Sequence, residues 1–411
     1  MKKFLVRTFM SFSIIFILMF GCTMFLEYKN KEKLQEEVKV EYQVKDGEIV
    51  VPDMPSKVDA NLQFSEFYFF TGLAISFMAP ILFYYYGGIE IIKKRAFKNK
   101  ILEGVFIILA YGIFSEVLIF PKILFSSFYR LRLVGLSMQS FTGFIGDYFK
   151  GNVEDLLIML PVGIVIYLIY LKKKNWYIWM TAIIIIVSIG GNYLYPYIDE
   201  YTNELVDMEE GELKDKLLSL SKEAGIDNLE IKVIPKSYKT NSMNAYMTGI
   251  HNSRRIVFWD TTLNKLSEKE ILSVAAHEMG HYKLNHIKNS MILEIIILIL
   301  TVIAAHNILI RVKGREYRTI ENLPFIIVIF NIMAILITPL ETGYSRRIET
   351  QADEFAMEVT KDPITNGMLE IRFIESNLTP VDVNNIYKWM AYDHPTVRER
   401  IENSNKYTLE H

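Results

Sequence analysis

The sequence predicts an α-helical polytopic membrane protein of about seven spanning helices, joined to a soluble α+β part with a small sheet. Three observations predict it. Hydrophobic residues make up 51% of the 411-residue chain and aromatics 13%, high for a soluble protein and ordinary where the solvent is partly lipid. Seven apolar stretches approach the roughly 20 residues that cross a hydrocarbon core. The polar residues collect mainly into one long internal stretch and a C-terminal piece. Lysine plus arginine (45) nearly balance aspartate plus glutamate (47), and no basic block is interleaved with aromatics outside the short inter-span loops, so no nucleic-acid partner is expected. The single cysteine, Cys22, excludes an intrachain disulfide and a thiolate-rich metal site, so any metal must use nitrogen and oxygen ligands.

The spans run about Phe4–Phe25, Phe67–Tyr86, Ile101–Phe120, Leu156–Leu171, Trp176–Leu194, Met291–Ile310 and Pro324–Leu340. Lys2, Lys3 and Gly21-Cys22 give the first a leader-like look, but Met19-Phe20 fits a lipoprotein cleavage site poorly, and a retained span is expected. The fourth is short and contains Pro161. Glu103, Glu116, Glu294, His306 and Asn331 fall inside spans, where such groups bond between helices or face a wet cavity.

The chain divides into an N-terminal membrane domain, 1–200, and a second domain, 201–411, that includes a transmembrane hairpin at 291–340. Glu212–Ala224 has helical apolar spacing and stops at Gly225. Strand-like runs follow at Leu229–Ile234, Ala245–Thr248 and Arg255–Trp259. Ser267 and Glu270 form a capping-box signature, and the helix they open is expected to continue through His281 toward the sixth span.

That helix carries His277-Glu278-Met279-Gly280-His281. Two imidazoles four residues apart project from one helical face and can reach one tetrahedral zinc, while the glutamate between them leans toward a water on the metal. Zinc lowers the pKa of such a water toward about 7, and Glu278 is placed to act as general base. His281 lies ten residues before the sixth span and Glu349 nine residues after the seventh, with only Arg311–Leu323 between the spans. Straight helices would bring both to roughly 15 Å beyond the membrane boundary, which makes Glu349 the natural third ligand. Asp353, one turn later, suits a partner that orients a ligand histidine, although both acids could instead pair with Arg346 and Arg347 on a solvated face. On a continuous helix His286 points about 140° away from His281 and is expected to pack or to hydrogen-bond. His251 and His306 lack a partner spacing. His394, in Asp393-His394-Pro395-Thr396, is either a turn residue or a stabiliser of an oxyanion.

Taken in order, Asn244-Ala245-Tyr246, Arg255-Ile256-Val257 with Asp260-Thr261, His277-Glu278-x-Gly280-His281, Ser345-Arg346-x-x-Glu349-x-x-Ala352-Asp353 and His394-Pro395-Thr396-x-x-x-Arg400 resemble the type I CAAX prenyl protease family of membrane gluzincins. Pro121, Gly135-Leu136-Ser137-x-Gln139-Ser140 and Asp147-x-x-Lys150-Gly151 extend the likeness toward the N-terminus. The resemblance implies an intramembrane chamber of seven helices capped by a zincin-like α+β domain. It implies one zinc per chain on His277, His281 and Glu349, Glu278 as general base, and Asn244 as a contact to substrate backbone. It further implies His394 and Arg400 as supports of the transition state and the site, and Ala245–Thr248 as an edge strand along which a peptide lies extended. The partners it implies are the lipid bilayer and a membrane-associated peptide or protein substrate, prenylated or not.

Basic clusters at Lys2-Lys3-Arg7, Lys93-Lys94-Arg95, Lys172-Lys173-Lys174 and Arg311-Lys313-Arg315-Arg318 fall on one side if all seven spans are real. The positive-inside rule then puts the zinc domain of this cell-membrane protein outside the cytoplasm, whereas the resemblance to eukaryotic members implies the opposite side. Two other readings stay open from the sequence: a transporter with a structural zinc, and a catalytically silent membrane scaffold. A structural zinc would call for four protein ligands, and a silent scaffold has no need of Glu278.

Overall fold

The structure, a computed structural model, describes residues 1–249 and 253–410; His251 lies outside them. Among the described residues, seven helices are long and apolar enough to cross a membrane. The first five are α1 (Lys2–Lys29), α2 (Ser56–Tyr85), α3 (Lys100–Ile123), α4 (Phe141–Lys172) and α5 (Trp176–Thr202). α3 runs on through a π-helical turn, Leu124–Tyr129, into Arg130–Leu133. α4 is twice the length of its apolar stretch, because it begins at the Ser140 cap and Pro161 sits within it. Four of the five polar groups inside the spans have partners elsewhere in the fold: Tyr167 donates to Glu103, Tyr148 to Glu116 and Asn331 to the Ser76 carbonyl, while His306 bonds the Tyr317 hydroxyl.

Three short basic connections meet at one end of this bundle. Lys93 pairs with Glu321, Tyr170 donates to the Tyr317 carbonyl, and Trp176 donates to the Tyr317 hydroxyl. At the other end the segment between α1 and α2, with its small hairpin of β1 (Val44–Lys45) and β2 (Glu48–Ile49), lies along the C-terminal helices. There Asn405 exchanges two 2.8 Å hydrogen bonds with the backbone of Ile49.

After α5 come β3 (Val206–Asp207), α6 (Glu212–Glu223), β4 (Glu230–Ile234), β5 (Ala245–Thr248) and β6 (Arg255–Trp259). The sheet order is β3-β4-β6-β5, with β4 parallel and β5 antiparallel to β6, so β5 is an edge. Apolar residues of the sheet, α6 and the next helix form one core, including Leu217, Ile256, Phe258, Ile271 and Met279.

That next helix, α7 (Glu268–Lys283), starts at the expected capping box, with Ser267 and Glu270 each bonding the other's backbone. It does not continue into the sixth span. Leu284 ends it, Asn285 takes a left-handed conformation (φ 58°), and α8 (His286–Lys313) starts in a new direction. Asparagine tolerates this conformation better than other residues with a Cβ. The unbroken helix assumed above, and the 140° placement of His286, are therefore corrected.

α9 (Leu323–Thr360) returns as one helix that carries Glu349 and Asp353 out of the bundle and against α7. The two approach closely because their contact is made of small residues: Ala275, Ala276, Ala352 and Ala356 are all fully buried. At Gly280 a Cβ would stand 3.1 Å from the Phe355 ring and 3.2 Å from the Ala352 Cα. α10 (Pro363–Asn377), α11 (Asn385–Ala391) and α12 (Val397–Glu410) complete the chain.

Gly280→Val should therefore push α7 from α9, costing about 1–3 kcal/mol as overpacking does. Thermal unfolding in detergent with a parallel zinc assay tests this; an unshifted transition with full zinc would show that the helices do not need that contact.

Candidate active site

α7 presents His277 and His281 on one face, with their Nε2 atoms 3.2 Å apart. α9 brings the Glu349 carboxylate between them, Oε2 at 3.3 Å from His277 Nε2 and Oε1 at 3.4 Å from His281 Nε2. Among the described residues these three form the group whose ligand atoms all lie within 4.8 Å of one another. The donor set fits zinc. At bond lengths of about 2.0–2.1 Å a tetrahedral site has edges of about 3.3 Å, the spacing seen between these atoms. Glu349 Oε2 is buried and, although close to the imidazole, makes no hydrogen bond, so a cation would satisfy it.

Each histidine is steadied from behind. His277 Nδ1–H donates to Asp353 Oδ1 at 2.8 Å. Arg400, from α12, donates to both oxygens of Asp353 (2.8 and 2.5 Å) and, through Nη1, reaches Glu370 of α10 at 2.9 Å. Burial pushes Glu370 up to about 7 despite Arg400, with the Asp353 charge adding to the rise. His281 Nδ1 meets His286 Nδ1 at 3.1 Å, because the turn at Asn285 folds His286 back under it. Arg346 does not pair with Glu349 or Asp353; it donates to the carbonyls of Lys388 and Tyr392.

A cleft of about 320 Å³ opens beside these groups, lined among others by Asn244, Ala245, Glu278, Tyr392 and His394. Burial raises the pKa of Glu278 against the pull of the two imidazoles. His394, on the loop between α11 and α12, donates from Nδ1 to Asp393 at 2.8 Å and holds Nε2 3.5 Å from Glu349 Oε2. Burial disfavours its charged form, but the Asp393 bond and the Glu349 charge outweigh this and its pKa is raised. Asn244 is exposed at the start of β5; its backbone is pinned by two bonds with Thr262 Oγ1 and one from Trp259 N–H. All nine residues singled out from the sequence stand at this cleft or directly behind it. Glu370 was missed; His286 makes the hydrogen bond expected of it, but to His281, from which it was expected to point away. Glu370 has no spacing signal, whereas Asn285 before His286 was a readable hint of a helix break.

The sequence profile of peptidase family M48 matches residues 207–408, and that of the CAAX prenyl protease N-terminal region, described as five membrane helices, matches residues 49–199. Among curated relatives, an uncharacterized metalloprotease, YhfN, of Bacillus subtilis (strain 168) is 28% identical over 291 residues, 66% of this chain and 67% of that one. A CAAX prenyl protease 1 homolog of Dictyostelium discoideum is 27% identical over 81% of this chain and 80% of its own, and CAAX prenyl protease 1 of Saccharomyces cerevisiae is 29% identical over 61% of each. The fold is also that of the crystal structure of S. mikatae Ste24p, with a TM-score of 0.69 at 22% identity over 96% of this chain and 98% of that one. With two adjoining profiles matched in order across most of its length, this chain belongs to peptidase family M48 as a multi-pass membrane zinc metallopeptidase of the CAAX prenyl protease kind.

Proposed function

We propose that one zinc per chain is held by His277, His281 and Glu349, and that the chain hydrolyses peptide bonds of membrane-associated substrates in the adjoining cleft. The observation that carries the reading is the 3.2–3.4 Å spacing of two imidazoles and a buried carboxylate, with a second carboxylate, Glu278, lining the cleft beside them. When bound, zinc polarises the scissile carbonyl and acidifies the attacking water. Glu278 holds the proton this water gives up and passes it to the leaving amine, a task suited to a carboxyl whose pKa burial has raised. His394, open to the cleft and favoured as its cation, faces the carbonyl oxygen as charge develops on it. The β5 edge, beginning beside Asn244, offers backbone hydrogen bonds to an extended peptide and asks little of its side chains. Relatives bearing the name CAAX prenyl protease support a lipidated C-terminal peptide as one such substrate.

The zinc site is proposed to face away from the cytoplasm. The Lys93–Glu321 pair and the Tyr170–Tyr317 bond gather the basic connections at the bundle end away from the cleft, so the sidedness inferred from loop charge no longer hangs on counting spans. In a Cys22→Ser background, Tyr238→Cys should react with a membrane-impermeant maleimide on sealed cells, and Lys94→Cys should react only after lysis. The reverse pattern would place the site in the cytoplasm.

Glu278→Gln should keep its zinc and lose peptide hydrolysis, since the amide cannot accept the proton. His394→Ala should lower kcat by roughly 100-fold, with KM changing less. Undiminished turnover of zinc-loaded Glu278→Gln would defeat the mechanism, and a change in KM alone would move His394 to ground-state binding.

His286 is proposed to fix the orientation of His281 by accepting its Nδ1–H, leaving Nε2 for the metal. His286→Ala should weaken zinc binding roughly 10–100-fold in competition with a chelator. An unchanged affinity would reduce the 3.1 Å contact to packing.

A further inference from the structure

Arg255 and Arg400 are both drawn into the protein and each meets two carboxylates, Glu200 and Glu230 for the first, Asp353 and Glu370 for the second. Arg130 is different. It leaves the end of the π-helical turn after α3, and neutral groups alone hold its guanidinium. Nη1 donates to Asn61 Oδ1 and Ser65 Oγ at 2.9 Å each, and Nε donates to the Ser126 carbonyl at 3.1 Å. Its Nη2 edge stays free among the described residues. A second cation, Lys122, lies within electrostatic reach of Arg130. The lysine stem rests against Gly72 of α2, where a Cβ would be 3.5 Å from Cε, and its ammonium makes no ion pair among the described residues.

These cations adjoin the cleft. Tyr387 of α11 lies within electrostatic reach of Arg130. The Tyr387 ring is 6.5 Å from that of Tyr392, which lines the cleft together with His394. Height agrees as well. Arg130 follows the third apolar stretch by ten residues and Glu349 follows the seventh by nine, so at about 1.5 Å per residue both stand roughly 15 Å from the membrane boundary.

A guanidinium fixed by three acceptors, with one edge free and a second unpaired cation nearby, is prepared for charge-assisted bonds to an anion. We propose that Arg130 and Lys122 form a subsite for the terminal carboxylate of the peptide substrate, an inference that rests on the peptidase reading above. Docking along a strand edge is indifferent to sequence and leaves the register of the peptide unspecified. A chain terminus is the one anion every linear peptide carries whatever its side chains. Holding it at a fixed point past Tyr392 and Tyr387 sets how far from the end the cut falls.

The test uses quenched peptides that end in a free acid or a carboxamide and are lengthened one residue at a time beyond the scissile bond. The full-length protein is assayed in detergent and in vesicles of phosphatidylcholine with or without phosphatidylglycerol. At one length the acid should exceed the amide in kcat/KM by roughly 10–100-fold, the range for a charge-assisted pair. That ratio should fall toward unity in Arg130→Gln and partway in Lys122→Gln, each checked for bound zinc. Should Arg130→Gln fail to retain zinc, Arg130→Lys and Lys122→Gln carry the test. Equal cleavage of acid and amide by the wild type at every length overturns the subsite and leaves the peptidase reading standing. A preference that survives both variants overturns the assignment of these residues, and a response to phosphatidylglycerol in place of the peptide terminus gives the cations to a lipid headgroup. Wild-type protein as inert as Glu278→Gln on every peptide defeats the peptidase reading itself.

Discussion

One buried carboxylate, Asp353, ties the site to the rest of the protein. It accepts from His277 on α7 and from Arg400 on α12, and it sits one turn from Glu349 on α9. Four helices are thus registered against one another by four oxygen-directed contacts, counting the Arg400 link to Glu370 on α10. Taking such charges out of water costs several kcal/mol per ion, a cost offset only when each lone pair and N–H has a partner. Here the partners are present: two carboxylates share one guanidinium and an imidazole N–H. The arrangement adds little net stability by this reasoning, and what it fixes is orientation, because with Nδ1 committed to Asp353 only Nε2 of His277 can turn toward a metal.

Close helix approach makes that geometry reachable. Gly280 and the alanines of α7 and α9 let the two backbones come near enough for imidazole and carboxylate to meet, so the glycine between the motif histidines serves packing. The same economy of side chain is found at Gly367, where a Cβ would collide with Ile49 and Ser404. There the segment between the first two spans is keyed into α10 and α12, so the membrane domain touches the helix that carries Arg400.

Much of this was legible in the residues. The spacing of His277, Glu278 and His281 and the capping box at Ser267 are local signals, and the structure keeps them where they were read. The pairing of Glu349 with those histidines was inferred from two straight helices, yet the straight helix does not exist: α7 ends before Asn285, and contact is made because α9 leans on α7 itself. The argument reached the right residue by a ruler that fails at one left-handed asparagine. His286 was misplaced for the same reason. Glu370 and Arg130 could not have been picked out, since their meaning depends on which charges tertiary folding does or does not bring to them.

The choice between a catalytic and a structural zinc turns on what surrounds the three ligands. Structural sites close the metal with a fourth protein donor, whereas hydrolytic sites keep one direction for water and substrate. Among the described residues no fourth histidine, cysteine or carboxylate joins His277, His281 and Glu349. The cleft beside them holds a glutamate that coordinates nothing and a histidine whose side chain is 52% exposed. A protein that needed zinc only for its fold would have no reason to keep at Glu278 a carboxylate whose burial raises its pKa, since an apolar residue there would cost less to bury. Desolvation that the two imidazoles and the Met247 backbone do not fully offset keeps this carboxyl's pKa raised, the condition under which a carboxyl can carry a proton.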